Sequence, residues 1–495
     1  MAKKILLINP NFYHFPGWLE AAVNYRKPPL GLAYLAAHIR NKYPADIRIY
    51  DAHALNKSED DVARYAETFA PDIVGITVVT PTLAFARKAA IMIRRAFPQI
   101  PIIFGGPHVS ALPFENLDVA DVCVIGEGEE TFLELVQSYS RGSGLREIKG
   151  IAFKENGRIV KTDDRGLIED LDTISFPARD LLPQVFFTHV YPYPCDTTRT
   201  ITLITSRGCN FKCNFCANEF MWKGRTRYRS LDNVFAEIEH LVGHYRCGFL
   251  YLYDDNFTSD PARVIEFSRR KRKYFPKLKW FCYCRADSLS NAMLEEMKAA
   301  GCAEVQVGVE SGDDDVLAGC NKRMKTETVS RAFQLLKQNK INQWATFIIG
   351  NQNDTRSSIE KTIRFALKLD PTYVSFMFLS PLPGTESFRA LSAAGAITTY
   401  NWSEYNWHKT PVFQTAFLSR EMMIGLRKKA YFKFYLRPQV FCRYLYALVI
   451  TGRGKIMLNN LTRFMKLMLG LHKKTIAERK SNGSGSNPVQ DNIKA

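Results

Sequence analysis

Three cysteines lie close together in the sequence SRGCNFKCNFC, at Cys209, Cys213 and Cys216. Three thiols at this spacing can ligate three irons of a 4Fe-4S cluster, which leaves the fourth iron open to another ligand. A structural zinc ion would need four closed ligands, and the next candidates, Cys195 and His240, are not close by. The spacing therefore favours an iron-sulfur cluster with one open coordination site.

The elements that must position these cysteines are six apolar segments that alternate with helical ones from about residue 198 onwards. The candidate strands are residues 199–206, 248–255, 279–286, 302–310, 343–350 and 372–380. Strands joined by helical crossovers form parallel sheets, and six of them predict an open or partial barrel. The cysteines follow the first strand, at the end of the barrel where chemistry is usually found.

A separate series of apolar segments lies in the first 140 residues, at 4–10, 47–52, 72–79, 100–106 and 122–128. It predicts a doubly wound parallel sheet, whose ligand binds beyond the carboxyl ends of the strands. The first strand is not followed by G-x-G-x-x-G, so a nicotinamide dinucleotide is not expected. Gly105, Gly106 and Gly126 end the fourth and fifth strands, where glycine lets a large planar ligand approach the backbone. With the adjacent Glu127, they are the candidate cofactor-binding residues of this domain.

The sequence R-G-C-x-x-x-C-x-x-C after the first strand of a second βα series resembles the radical S-adenosylmethionine (SAM) superfamily, and Phe215 before the last cysteine also fits that pattern. The resemblance covers about residues 198–400. It implies that Cys209, Cys213 and Cys216 hold a 4Fe-4S cluster whose open iron chelates the amino and carboxylate groups of SAM. An electron from the cluster would then cleave the sulfonium and give a 5'-deoxyadenosyl radical.

The same resemblance implies that SAM contacts lie at the ends of the next barrel strands. Asp255 in YLYDDNFT is at the position that the family uses for the SAM amino group, and Glu310 in VGVESG is at the position that contacts its ribose or amino group. Arg285 follows the third strand and is the remaining candidate. Asp254 and Asp255 are adjacent in a strand, so at most one of them faces the barrel mouth. Residues 351–354 replace the family's Leu-Pro-Gly-Glu turn with Asn-Gln-Asn-Asp, which either lines a different substrate opening or has no special role.

The order of elements in the first domain, with RKPPLGLAYLAA after the first strand, resembles the cobalamin-binding domain that precedes many radical SAM domains, over residues 3–135. The segment from Asp51 to Asn56 nearly matches D-x-H-x-x-G, the sequence with which some cobalamin proteins donate a histidine to cobalt. It follows the second strand instead of the first, and it lacks the glycine. We therefore interpret His53 as a surface loop residue and expect cobalamin to bind without a protein histidine on cobalt. His108 in GGPH is either a contact near the corrin or a plain loop residue.

These patterns together predict an α/β protein. We expect an N-terminal doubly wound, Rossmann-like cobalamin-binding domain (residues 1–140), a linker with little structure of its own (141–195), a partial (β/α), TIM-like radical SAM barrel (196–410), a basic helical region (411–480) and a disordered tail (481–495). The linker should contain a hairpin around Asn156 and Gly157. No apolar run is long enough to span a membrane, and the first residues are typical of a strand, so we expect a cytoplasmic location.

Much of the net charge of +18, from 67 Lys and Arg against 49 Asp and Glu, lies near the C-terminus. Residues 420–480 contain 15 Lys and Arg and two Glu, interleaved with aromatic and aliphatic residues. This pattern is compatible with a helical cap on the barrel, with a peripheral contact at the inner face of the membrane, or with a nucleic-acid patch. The large apolar residues favour the first two, so nucleic acid is not an expected partner.

The resemblance implies an enzyme whose cofactors are a 4Fe-4S cluster, SAM and cobalamin. The usual reaction of this class is methylation of an unactivated carbon: one SAM methylates cobalt, and a second gives the radical that activates the substrate to capture the methyl group. The alternative is a radical cyclisation or rearrangement, as in the anaerobic magnesium-protoporphyrin ester cyclases, which share the domain order. A non-catalytic cobalamin-binding sensor or carrier is a third hypothesis, against which the intact cysteine motif argues. The expected partners are an organic substrate, such as a lipid or a tetrapyrrole, and an electron donor, such as flavodoxin or ferredoxin.

Overall fold

The structure is a computed structural model that describes residues 2–12, 27–183, 186, 199–440 and 442. Its first sheet has the order β2-β1-β3-β4-β5-β6-β7, in which β1 to β5 are parallel and the last two strands are antiparallel. The strands are β1 (Lys3–Asn9), β2 (Ala45–Asp51), β3 (Ile73–Thr77), β4 (Ile102–Gly105), β5 (Val122–Val124), β6 (Ile151–Glu155) and β7 (Arg158–Lys161). The predicted doubly wound parallel sheet is confirmed, and its order places a ligand crevice between the carboxyl ends of β1 and β3.

Helices cover both faces of this sheet, as the alternating series predicted. They are α1 (Leu30–Lys42), α2 (Glu59–Phe69), α3 (Leu83–Ala96), α4 (Pro107–Ala111) and α5 (Glu129–Arg141). Strand β1 is buried on both sides: Ile5 and Leu7 pack in one core, and Leu6 and Ile8 pack in another. A strand that is apolar at every position is typical of a sheet with helices on both faces.

The segment after α5 contains the expected hairpin, since Asn156 and Gly157 have φ values of 50° and 77° between β6 and β7. The expectation that this segment has little structure of its own was wrong for residues 151–161. Strand β6 pairs antiparallel with β5, Ile151 opposite Val124, and its apolar residues are buried. Burial of this apolar strand extends the sheet, so the hairpin is part of the first domain's core.

The second sheet is parallel throughout, in the order β15-β14-β13-β12-β11-β8, and its two outer strands do not pair with each other. Its strands are β8 (Thr200–Leu203), β11 (Phe249–Leu252), β12 (Lys279–Cys284), β13 (Cys302–Glu310), β14 (Asn342–Ile349) and β15 (Tyr373–Phe378). A short antiparallel ribbon, β9 (Ser206–Arg207) and β10 (Arg227–Tyr228), follows β8. The predicted six-stranded open barrel is confirmed.

Helices pack outside the barrel, and aromatic rings lie inside it. The helices are α6 (Asn218–Trp222), α7 (Leu231–Gly243), α8 (Pro261–Tyr274), α9 (Asn291–Ala299), α10 (Asp314–Gly319), α11 (Thr326–Gln338), α12 (Arg356–Leu369), α13 (Glu386–Ala393) and α14 (Arg420–Tyr435). Val305 and Val307 of β13 join the main core with the helices, whereas Tyr251 and Phe281 of β11 and β12 form a separate stacked cluster. This alternation leaves an inward face that is largely aromatic.

Helix α14 caps the last strand of the barrel. Its buried residues are Met423, Leu426, Ala430 and Phe434. The hydroxyls of Tyr431 and Tyr435 hydrogen-bond to the backbone of β15. The described part of the basic region therefore behaves as a cap, and residues 443–480 and the tail at 481–495 lie outside the described residues. Within the described parts of the chain, no helix combines the length and apolarity needed to cross a bilayer.

Candidate functional site

The three cysteines lie on a loop, residues 208–226, that we call the cluster loop. The ribbon β9–β10 closes its base, with Arg207 opposite Arg227. Gly208 begins the loop with φ of +92°, and a Cβ there would lie 2.1 Å from the carbonyl oxygen of Arg225, so only glycine fits. Its N–H donates to Asp255 Oδ2 at 3.0 Å, which ties the start of the loop to the end of β11.

The thiols fit a cluster better than a single metal ion. Cys209 and Cys213 are buried, Cys216 is half-buried, and the Cys216 N–H donates to the Cys213 carbonyl at 3.0 Å. No group of three or more His, Cys, Asp or Glu among the described residues converges on one ion. In a 4Fe-4S cluster each cysteine binds a different iron, so the thiols need not converge. Burial raises the pKa of all three thiols, that of Cys216 to about 12, so binding of iron must release their protons.

Arg285 supports the cluster loop from β12. Its guanidinium lies 3.5 Å from the centre of the Phe211 ring, and Nη1 is 4.0 Å from Cys213 Sγ. Nη2 also donates to Asp287 Oδ2 and to the Lys322 carbonyl, both at 2.8 Å. With these contacts the predicted SAM-binding residue is already engaged, and it places a positive charge beside the buried thiol of Cys213.

Glu310 forms a buried ion pair that the sequence did not indicate. Lys322 Nζ lies 2.8 Å from Glu310 Oε1, and both side chains are less than a tenth exposed. Glu310 follows a bulge between β13 and β14 and has φ of 66°, an unusual backbone for glutamate. A Cβ at Gly308 would lie 2.5 Å from Glu310 Oε1, so this glycine makes room for the pair.

The two adjacent acids after β11 have different environments, as their alternation predicted. Asp254 is buried and accepts hydrogen bonds from the backbone N–H groups of Thr205 and Ser206, so its role is structural. Asp255 is partly exposed at the barrel mouth, yet desolvation there raises its pKa to about 6. Of the two, Asp255 has the accessible carboxylate.

The turn at residues 351–354 supports its own loop and the cluster loop. Asp354 Oδ2 accepts from the N–H groups of Gly350 and Asn351, both at 3.0 Å. Gln352 Oε1 accepts from Asn214 Nδ2 at 3.0 Å, and Asn214 lies between two of the cysteines. The departure from the family's turn therefore has a structural role, which is to hold the cluster loop from the side of β14.

Several buried polar atoms after barrel strands lack a hydrogen-bond partner among the described residues, and three of them follow β11, β14 and β15. They are Asn256 Nδ2 after β11, Asn351 Oδ1 after β14 and Ser380 Oγ after β15. Buried polar groups are nearly always hydrogen-bonded in proteins, so these atoms are candidates for contacts with ordered water or with a bound polar molecule. Together with the accessible carboxylate of Asp255, these atoms fit a polar molecule such as SAM.

The glycines of the first domain differ in the space around them. Gly126 has φ of +82° and nothing within 4 Å of an added side chain, so a ligand can approach its backbone. Gly106 has φ of +98°, but a Cβ there would lie 2.8 Å from the Val78 carbonyl oxygen, so neighbouring backbone already requires this glycine. Gly105 has only an ordinary contact with Val124. Val79, two residues after the end of β3 and so near the ligand crevice, is an exposed apolar residue, which fits a large macrocycle such as cobalamin.

Neither candidate histidine is positioned as a free ligand. His108 is buried, and its two ring nitrogens lie 3.1 Å from Thr80 Oγ1 and 3.1 Å from Glu115 Oε2. His53 lies in the turn after β2, where its Nδ1 contacts Asn11 Oδ1 at 3.4 Å. The environment of His108 is that of a buried structural residue, and cobalamin binding without a protein histidine on cobalt stays a prediction.

Glu127 faces the barrel domain. Its carboxylate accepts hydrogen bonds from Arg207 and Arg227, each at 2.7 Å, and from the N–H of Ile168 at 2.8 Å. Sequence reasoning identified Glu127 from its strand-end position but missed both arginines, although Arg207 belongs to the R-G-C sequence. The signal available in the sequence was Arg207, a charged residue directly before Gly208, where only glycine fits.

The chain matches known families in two stretches. Residues 203–366 match the model of the radical SAM superfamily, and residues 19–136 match that of the B12 binding domain. Over 440 residues the chain is 33% identical to an uncharacterised methyltransferase of Pyrococcus horikoshii, with 88% of this chain and 93% of the relative covered. Over 472 residues it is 29% identical to the anaerobic magnesium-protoporphyrin IX monomethyl ester cyclase of Rubrivivax gelatinosus, with 94% and 82% covered.

The fold is similar to that of solved structures with both domains. One is the radical SAM methyltransferase TsrM of Kitasatospora setae with cobalamin and a [4Fe-4S] cluster bound, at a TM-score of 0.69, 19% identity and coverage of 94% of this chain and 100% of that one. Another is the cobalamin-dependent SAM radical enzyme OxsB with aqua-cobalamin bound, at a TM-score of 0.70, 17% identity and coverage of 92% and 72%. The chain belongs to the family of cobalamin-binding radical SAM enzymes, whose cofactors are a 4Fe-4S cluster, SAM and cobalamin.

Proposed function

We propose that this enzyme transfers a methyl group from SAM to an unactivated carbon of an organic substrate. The observation that carries the proposal is the buried ionic contact between the base of the cluster loop and Glu127, next to the open backbone of Gly126. It brings the cluster residues and the carboxyl edge of the cobalamin-binding sheet to one junction. When bound, the cluster supplies the electron that cleaves SAM, and cobalamin supplies the carrier of the methyl group.

The barrel residues have separate roles in this proposal. Cys209, Cys213 and Cys216 hold the cluster. Asp255 and Glu310, the latter with its partner Lys322, contact the charged groups of SAM at the barrel mouth, since their carboxylates and ammonium lie beside the cysteines. Arg285 keeps the cluster loop in place and faces Cys213 with a positive charge.

The cobalamin-binding role is assigned to the strand ends of the first sheet. Gly126 offers open space after β5, and Gly105 and Gly106 lie at the carboxyl end of the neighbouring strand β4. The side chain of Glu127 is engaged by arginines, so a contact between this residue and cobalamin would come from its backbone.

The test of the reaction is an isotope experiment on the anaerobically reconstituted enzyme. It is incubated with SAM carrying a deuterated methyl group, a reductant and an extract of the source cells. A deuterated methyl group in a new organic product supports methyl transfer. 5'-Deoxyadenosine formation with a new product that carries no label would contradict it.

A radical cyclisation is the second candidate, and the similarity to a magnesium-protoporphyrin ester cyclase along nearly the whole chain favours it. The isotope experiment separates the two reactions, because a cyclisation product gains a ring and no methyl group. That relative also makes a tetrapyrrole a natural first substrate to assay, followed by lipids.

The partners follow from the cofactors and from the charge of the chain. A cluster that gives up an electron in each turnover needs a one-electron donor, and a small flavodoxin or ferredoxin would serve.

The basic region at 420–480 favours attraction to anionic lipid, to which each Lys or Arg contributes about 1 kcal/mol near the surface. Because the apolar face of α14 is buried on the barrel, we expect binding to anionic vesicles that salt mostly reverses. Binding that persists in high salt would indicate inserted apolar residues instead.

A further inference from the structure

Both ends of the cluster loop carry an arginine. Arg207 ends β9 and Arg227 begins β10, and the two residues are opposite each other in the ribbon. Both guanidiniums reach the same carboxylate of the first domain: Arg207 Nη1 lies 2.7 Å from Glu127 Oε1, and Arg227 Nη1 lies 2.7 Å from Glu127 Oε2. One glutamate therefore holds the two ends of the loop together.

A second carboxylate balances the charge. Arg207 Nη2 lies 2.6 Å from Glu129 Oε1, so two arginines meet two glutamates, and each of the four side chains is at most 11% exposed. Burial alone would lower the pKa of Arg207, but Glu129 and Glu127 outweigh it and raise that pKa. Burial alone would raise the pKa of Glu129, but the charge and hydrogen bond of Arg207 outweigh burial and lower that pKa. The two guanidiniums of the network thus face two carboxylates, so that charges of opposite sign are matched in number.

The network lies between the two candidate cofactor sites. Gly126, whose backbone is open, directly precedes Glu127, and Cys209 follows two residues after Arg207. The segment that joins the domains is also attached, because Arg227 Nη1 donates to the Ile168 carbonyl at 2.5 Å. The cluster loop cannot shift relative to the first sheet without breaking these contacts.

Stability is a poor explanation for such a network. Replacing buried ion pairs by apolar residues of similar size is often neutral or stabilising, because desolvation offsets much of the attraction. What charged, bidentate contacts provide is geometry, since a guanidinium fork fixes both the distance and the angle to a carboxylate.

We propose that Glu127 is a positioning residue that fixes the cluster loop relative to the cobalamin-binding sheet through Arg207 and Arg227. The proposal deepens and rests on the proposed function, because methyl transfer needs the two cofactors in a set relation. It assigns the side chain of Glu127 to the domain junction, with no contact to cobalamin.

The variants separate geometry from charge balance. Glu127→Gln alone leaves Arg227 buried without a counter-charge, so the main variant is Glu127→Gln with Arg227→Gln, which removes one charge of each sign. Glu127→Asp keeps the charge and shortens the reach. The matched control is Glu169→Gln, which breaks an exposed 2.7 Å ion pair with Arg225 of the same loop.

The first measurement is magnetic. In the anaerobically reconstituted protein, the reduced cluster speeds the spin relaxation of Co(II) in cobalamin, an effect that falls steeply with distance. We expect the double variant to keep its iron and cobalamin and to lose the wild-type relaxation enhancement, Glu127→Asp to shift it, and Glu169→Gln to leave it unchanged. A wild-type enhancement in both Glu127 variants, or the same loss in the control, would overturn the proposal.

The second measurement needs no cofactor. Amide hydrogen exchange of the cluster loop in the apoprotein should be faster in the double variant and in Glu127→Asp, and unchanged in Glu169→Gln. Equal protection in all four proteins would show that the network does not hold the loop. Since exchange does not depend on SAM, cluster or cobalamin, a failure of the proposed function would leave this result standing.

Discussion

Lys322 Nζ lies 2.8 Å from Glu310 Oε1 at the mouth of the barrel, and both groups are buried beside the thiol of Cys213. Burial alone would lower the pKa of Lys322, but the charge of Glu310 outweighs it and raises that pKa. Gly308 provides the space in which the pair forms. The pair thus places a carboxylate and an ammonium, already bound to each other, beside the point where SAM is expected.

The pair should show strong coupling in stability measurements. Glu310→Gln leaves the ammonium of Lys322 buried without a counter-charge, which costs about 3–5 kcal/mol. Adding Lys322→Gln removes that charge, so the double variant should be less destabilised than Glu310→Gln alone. Urea denaturation of the apoproteins measures this difference. Additive effects of the two substitutions would show that the two side chains do not depend on each other.

Substitution of the cluster ligands should separate the two cofactors. Cys209→Ala, Cys213→Ala and Cys216→Ala should each lose iron and 5'-deoxyadenosine formation and keep cobalamin binding, because the residues proposed to bind cobalamin lie in the other domain. Iron analysis and the cobalamin absorption spectrum measure both. Cys442→Ala, at an exposed thiol, is the control and should retain the iron of the wild type. A triple alanine variant with a complete cluster would contradict the assignment.

The sequence predicted the fold well because its signals are local. Apolar runs between amphipathic segments located every parallel strand of both sheets, and Asn156-Gly157 located the hairpin turn. That hairpin's place in the first sheet was missed, because strand pairing with β5 depends on a partner 27 to 31 residues away. Apolar residues in a short segment flanked by glycines were not a sufficient sign of a sheet strand.

The candidate site was only partly predictable. The spacing of Cys209, Cys213 and Cys216 is a chemical signal within eight residues of chain. Lys322, by contrast, reaches Glu310 across a turn and a helix, and no local pattern marks a lysine as the partner of a distant acid. Glu127 was identified by position, while the guanidiniums that engage it come from 80 and 100 residues later in the chain.

The last strand of the barrel should depend on two tyrosines. Tyr431 Oη accepts from the N–H and donates to the carbonyl of Phe376, and Tyr435 Oη does the same for Val374. Changing both tyrosines to Phe keeps the rings in place but leaves these backbone groups unpaired, at about 1–3 kcal/mol for each buried group. Thermal denaturation should show lower stability. Tyr274→Phe, at an exposed ring, should leave the stability unchanged.

Glu304 should make stability depend on pH. Glu304 of β13 lies opposite Phe281 of β12 in the strand register. Neither of its carboxyl oxygens has a hydrogen-bond partner among the described residues. Burial raises its pKa well above the usual value, so the folded protein keeps a proton that the unfolded chain releases above about pH 4.3. The free energy of unfolding therefore falls by about 1.4 kcal/mol per pH unit as pH rises above about 4.3 towards the pKa of Glu304 in the folded protein.

The substitution Glu304→Gln should remove this loss of stability with rising pH. The variant should be more stable than the wild type at neutral pH, and the difference should shrink towards pH 4, as measured by urea denaturation across the range. Glu239→Gln, at an exposed position, is the matched control and should follow the wild type. A constant difference at every pH would mean that Glu304 does not keep its proton in the folded state.

The most direct measurement of the central claim is SAM cleavage by the anaerobically reconstituted holoenzyme, with SAM carrying a deuterated methyl group and a strong reductant. Chromatography with mass analysis would follow 5'-deoxyadenosine and the label on cobalamin. The account predicts both in the wild type, and it predicts no 5'-deoxyadenosine in Cys213→Ala. A wild-type protein that holds its full cluster and cobalamin and yields neither would contradict the assignment of this chain as a methyl-transferring radical SAM enzyme.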